Sequence, residues 1–181
     1  FNKGGPIYKG RPGMNAQEQW LAEHSNKKCF KGTMAEALVG ADMFLGLSVP
    51  GVIKAEDLKA MARDPIVFAL SNPEPEVRPE DAAPYVAVMA TGSSEYPNQI
   101  NNALAFPGIF RGLLDCRART VTDEMKIAAA HAIAGLIPRD KLRADCIIPG
   151  QLNEKVHKAV AEAVCCSAHQ CGQARRTRRV R

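Results

Sequence analysis

The sequence predicts an α/β fold, a doubly wound parallel sheet followed by a group of helices, and three observations carry that prediction. Residues 43–47 (Met-Phe-Leu-Gly-Leu), 66–70 (Ile-Val-Phe-Ala-Leu) and 86–90 (Val-Ala-Val-Met-Ala) are apolar without alternation, as in strands covered on both faces. About 15 to 20 residues separate one run from the next, room for a crossover and far too many for a tight hairpin. All three runs end in small polar residues: Ser48, Asn72 and Thr91-Gly92. In open α/β sheets ligands bind outside the carboxyl ends of the strands, so that edge is where a site is expected.

The helices follow from composition and capping. Residues 16–24 and 33–38 are helical in composition, and Thr33 with Glu36 forms the Thr-x-x-Glu capping box. Residues 54–63 predict a helix with Leu58, Met61 and Ala62 on one face. Residues 98–106 predict a short helix with Asn98 at its cap, and Pro107 opens another in its first turn. Thr122 caps the next, with Asp123 and Glu124 in the positive first turn, and Pro138 stops it. Asn153 caps the last, where Val156, Val160 and Val164 recur every four residues. The expected organisation is a sheet-bearing unit over 1–120, helices packing on it over 121–164, and a disordered Cys/Arg-rich tail over 165–181.

Composition narrows the function. The chain is 46% apolar and 24% charged, an ordinary globular balance, and no run approaches the ~18 apolar residues of a membrane span. The net charge of +5 sits in the tail: without its five arginines (Arg175, Arg176, Arg178, Arg179, Arg181) the chain has 19 basic and 19 acidic residues. The neutral body argues against a nucleic-acid or membrane surface. Cys29, Cys116 and Cys146 stand singly, which suits reduced thiols in a cytoplasmic protein. Cys165, Cys166 and Cys171 match no common zinc spacing. Phe1, without a preceding Met or a leader segment, reads as a cut in a longer chain.

Several chemistries have no residues to carry them. There is no Gly-x-Gly-x-x-Gly turn, no Gly-x-Ser-x-Gly elbow and no metal-ligand cluster of carboxylates and histidine. Ser93 and Ser94 lack a base. His24, His131 and His157 read as surface residues of helices. Asp42, Asp57, Asp64, Asp81, Glu74, Glu76 and Glu80 read as loop or helix-surface acids. What remains is a carboxamide cluster, Asn98, Gln99, Asn101 and Asn102, with Asn72 locked into an extended exit by Pro73. Carboxamides donate and accept while staying neutral, which suits orienting a small polyoxygenated anion.

These stretches resemble the bacterial-type malic enzymes. The likeness is carried by residues 5–11 (Gly-Pro-Ile-Tyr-Lys-Gly-Arg), 41–48, 68–76 with Ser71-Asn72-Pro73, 96–102 (Tyr-Pro-Asn-Gln-Ile-Asn-Asn) and 106–112 (Phe-Pro-Gly-Ile-Phe-Arg-Gly). The resemblance implies an incomplete doubly wound sheet, the later part of a Rossmann-like NAD(P)-binding domain. It also implies oxidative decarboxylation of malate to pyruvate and carbon dioxide by the full-length protein, with NAD or NADP and Mg or Mn. By the same resemblance Asn72 and one of Asn101 and Asn102, with Asn102 favoured, contact substrate. Ser48 and Val49, with Asn72, then lie near the dinucleotide. The family's catalytic Tyr and Lys, metal ligands and glycine-rich turn fall before Phe1, so this chain alone is expected to be inactive and the whole protein a homodimer or larger. Ser93 stands where relatives often carry Arg, and residues 148–153 depart from the usual ending. Two other readings are a binding module without catalysis and a polyanion-binding arginine tail.

Overall fold

Residues 1–176 are described by the structure, a computed structural model. Capping boxes open the first two helices, α1 (Ala16–His24) and α2 (Met34–Leu38). In each, the cap side chain accepts an N–H from the third helical residue, Glu18 or Glu36, whose carboxylate accepts the cap's own N–H.

Three strands follow, β1 (Met43–Gly46), β2 (Ile66–Ala69) and β3 (Val88–Thr91), in that order and all parallel. The chain from β1 to β2 passes through a 3₁₀ turn (Ala55–Ala60), shorter and tighter than the helix expected over 54–63. The chain from β2 to β3 passes through α3 (Pro79–Ala82), which opens on proline. Phe44, Val67 and Ala69 face Leu38, Leu58, Met61, Val77 and Ala82 in one buried cluster.

The opposite face is open, as an incomplete sheet requires. Met43, Leu45 and Ile66 are 44%, 56% and 37% exposed. The cause is handedness: strands that advance in one direction through right-handed crossovers place every crossover on the same face. A doubly wound sheet covers its second face only where the strand order reverses, and β1-β2-β3 contains no reversal.

A second cluster joins α4 (Phe106–Cys116), α5 (Asp123–Ala134) and α6 (Glu154–Gln170). Val156, Val160 and Val164 are fully buried on α6, as their spacing predicts. Gly108 and Gly112 let α4 lie against it, since a Cβ at Gly112 would stand 2.5 Å from the Ala161 carbonyl oxygen. The tail expected from Cys165 onward is instead structured to Arg176. The helix runs on to Gln170, Ala168 is fully buried, and Arg175 and Arg176 donate their backbone N–H groups to the Cys116 carbonyl. Its small Cys, Ser and Ala side chains fit against α4 and α5, a packing that tail composition did not reveal. Arg178, Arg179 and Arg181 lie outside the described residues. No helix among the described residues is long and apolar enough to cross a membrane.

Candidate functional site

The last row of the sheet register, Gly46–Ala69–Thr91, brings the three strand exits side by side. Beyond them some polar side chains hydrogen-bond within the fold and others make no such bond among the described residues.

Asn98 is committed completely. It is buried, its backbone is left-handed (φ 57°), and it does not cap a helix. Its Nδ2 donates to the carbonyls of Met89 (2.9 Å) and Ala144 (2.7 Å), while Oδ1 accepts the Ile147 N–H (2.9 Å). Gln99 donates to the Gly92 carbonyl at 3.3 Å, and Ile100 N–H to Thr91 at 2.8 Å, so the chain extends β3 by a short parallel step. Asn101 caps the 3₁₀ turn Asn102–Leu104 by accepting the Ala103 N–H at 2.9 Å. The helix expected over 98–106 is thus this single turn.

Asn72 and Asn102 remain. Both are exposed, and neither side chain makes a hydrogen bond among the described residues. Asn72 lies at the exit of β2, before a cis peptide bond to Pro73. Its carboxamide lies over Gly92 at the exit of β3, where a Cβ would meet Nδ2 at 2.8 Å. Asn102 follows the step that leaves the same strand. Asn72 thus lies against the exit of β3, and Asn102 opens the turn three residues after the Thr91–Gln99 bridge beside that strand.

Ser48 and Val49 are exposed beyond β1. The Ser48 N–H and hydroxyl both turn inward to Glu76 Oε1, at 2.8 and 3.2 Å. Glu76 corrects the expectation of a surface acid, being fully buried with its other oxygen accepting the Ser71 N–H at 3.0 Å. Two sequence signals point to it: the apolar neighbours Pro75 and Val77, and Gly46, where a Cβ would stand 2.5 Å from its carboxyl carbon. His157 also departs from expectation, since its Nδ1 is buried with no hydrogen-bond partner among the described residues.

Tyr96 fixes the start of the carboxamide segment by donating its hydroxyl to Glu80 Oε1 at 2.9 Å. Glu80 is held below the usual carboxylate range, first by its backbone N–H at the start of α3 and then by Tyr96. The same bond raises the Tyr96 phenol. A cavity of about 690 Å³ opens nearby between residues 51–56 and 74–85. Glu56, Glu74, Glu80 and Asp81 outnumber Lys54 and Arg78 in its wall, a poor field for an anion. None of Ser48, Val49, Asn72, Asn101 or Asn102 lines it.

Comparison with known proteins assigns a family and agrees with the fold. Residues 3–169 match the family described as malic enzyme, NAD binding domain. An NAD-dependent malic enzyme of Geobacillus stearothermophilus is 52% identical over 95% of this chain and 36% of its own length. An NADP-dependent malic enzyme of Rhizobium meliloti is 44% identical over 95% of this chain and 24% of its own. The crystal structure of the Entamoeba histolytica malic enzyme superposes with a TM-score of 0.89 at 37% identity, covering 98% of this chain and 38% of that one. The chain thus spans only about a quarter to two fifths of the length of these three proteins. The parallel sheet and this family match lead to one conclusion: the chain belongs to the malic enzyme family, as part of its NAD-binding domain.

Proposed function

We propose that the full-length protein oxidatively decarboxylates malate to pyruvate and carbon dioxide with NAD or NADP, and that this chain supplies part of the cofactor and substrate site. The observation that supports the proposal is that, among the described residues, Asn98, Gln99 and Asn101 each make a side-chain hydrogen bond within the fold, while Asn72 and Asn102 make none. Asn72 and Asn102 orient the substrate through neutral donors and acceptors, with Asn101 holding the turn that presents Asn102. Ser48, Val49 and Asn72 border the dinucleotide at the neighbouring exits. The nucleotide supplies the hydride acceptor.

Among the described residues no three His, Cys, Asp or Glu side chains converge as metal ligands, so the ligands of the Mg or Mn that this reading includes would lie in the rest of the full-length protein. No step here runs through one. Self-association as a dimer or larger assembly belongs to the same proposal and is supported by the exposed row Phe106, Phe110 and Leu114 on α4. A cytoplasmic setting is supported by the thiol state of Cys29, Cys116 and Cys146.

The test is steady-state kinetics of the full-length protein with malate, Mn and each nucleotide. Asn72→Ala and Asn102→Ala should each lower kcat/KM by roughly 10- to 100-fold, the scale of a hydrogen bond to a charged ligand. Unchanged kinetics in both variants would defeat the site assignment.

A further inference from the structure

We propose that Glu76 is a positioning residue that couples the cofactor-side exit of β1 to the substrate-side exit of β2. The proposal rests on the function given above and deepens it.

One fully buried carboxylate serves both loops. Oε1 takes the backbone N–H and the hydroxyl of Ser48, while Oε2 takes the backbone N–H of Ser71, next to Asn72. The chain turns back to reach this place, with the Ser71 hydroxyl donating to the Glu74 carbonyl. Gly46 leaves the space, since a Cβ there would stand 2.6 Å from Oε1. The three donors come from elements on two sides of one carboxylate, so a shift of either exit is transmitted to the other. No cation neutralises the group among the described residues. Its interactions are those of a clamp on two backbone segments.

The chemistry of the clamp is specific. Each oxygen must accept, and a carboxylate offers two acceptor oxygens where a carboxamide offers one. Glu76→Gln keeps size and shape but turns an NH₂ toward one backbone N–H. Glu76→Asp keeps both acceptors but is one methylene too short to reach both exits.

The experiment uses the full-length enzyme. In Glu76→Gln with an unchanged circular dichroism spectrum, KM for nucleotide and KM for malate should rise together, with kcat/KM falling roughly 10- to 100-fold. Asn72→Ala should raise KM mainly for malate. Glu76→Asp should fail to restore either constant. A purely structural glutamate would lower Tm and leave both KM values of the folded enzyme unchanged, and that result would overturn the proposal. Should Glu76→Gln not fold, amide hydrogen exchange of the unmutated protein decides. Ser48 and Ser71 should be protected to the same degree and open together, and independent opening refutes the clamp. If the unmutated protein does not turn over malate, the proposed function fails, while the exchange measurement still judges Glu76.

Discussion

The carboxamide of Asn72 occupies the space in which a side chain at Gly92 would stand, with Nδ2 at 2.8 Å and Oδ1 at 3.2 Å from the ideal Cβ position. The exit of β2 therefore leans across the exit of β3, and glycine at position 92 is the condition for it. Gly92→Ala in the full-length protein should push Asn72 aside and cut kcat/KM for malate by about 10- to 100-fold, since displacements near 1 Å cost that much. A variant with wild-type kinetics would mean that the position of Asn72 is unimportant.

Asn98 should behave as a structural residue although it lies in the same motif. Asn98→Asp turns acceptors toward the Met89 and Ala144 carbonyls and leaves those carbonyls without a donor. Unsatisfied buried groups cost about 1–3 kcal/mol each, so chemical denaturation should report a loss of about 2–5 kcal/mol. Asn98→Gly, which accepts the left-handed backbone, should lose the bonds without added strain and fall short of that loss.

The α4–α6 contact gives a stability test independent of the site. A methyl at Gly112 would press on the Ala161 carbonyl oxygen and on Val164 Cβ at 3.0 Å. Gly112→Ala should destabilise the protein by about 1–3 kcal/mol, against the general helical preference for alanine. A stabilised variant, seen as a higher Tm, would show that the helices move apart without penalty.

The Tyr96–Glu80 bond sets a pH window. Glu80 is lowered from 4.5, so its contribution to stability is present above that value and lost as the pH falls through the lowered one. Tyr96 is raised from 10.0, so its contribution is present below that value and lost as the pH rises through the raised one. Tyr96→Phe should move the Glu80 titration part of the way back toward 4.5, because the backbone N–H of Glu80, the larger cause, remains. The carboxyl carbon shift of Glu80 followed against pH checks this. An unaltered titration would show the bond to be unformed in solution.

The uncovered face of the sheet predicts the behaviour of the 181-residue chain by itself. With Leu45 56% and Leu47 76% exposed, it should bind a hydrophobic dye and self-associate. Leu45→Lys with Leu47→Lys should suppress both effects. A monomer that ignores the dye before any substitution would contradict the prediction.

Much of this was legible in the residues. The strands, their polar exits, the start of α5 and the valine row of α6 follow from local pattern, because each depends on neighbours within a few positions, whereas α5 ends at Ala134, short of the stop expected at Pro138. The division of labour among the carboxamides was only half legible. Asn98 and Asn102 have the same side chain, and the partners at Met89, Ala144 and Ile147, the last two far along the chain, make one structural. Glu76 was missed for a related reason. Its donors come from Ser48 and Ser71, and the donor at Ser48 lies 28 positions away. The bare face of the sheet is half legible: an apolar run shows that cover is needed, while strand order decides whether this stretch provides it.

The joint at Asn98 also has a clock. Its partners at Ala144 and Ile147 lie 46 and 49 residues further along the chain. At ribosomal speeds of about 5–20 residues per second, that distance is roughly 2–10 s of synthesis. Throughout that interval the strand exits exist without the contact that fixes the carboxamide segment to the later loop. The ligand edge of this protein is therefore finished late, well after its three strands have been made, and a nascent chain stalled before Ala144 would carry the Asn72 and Asn102 side chains on an unsecured frame.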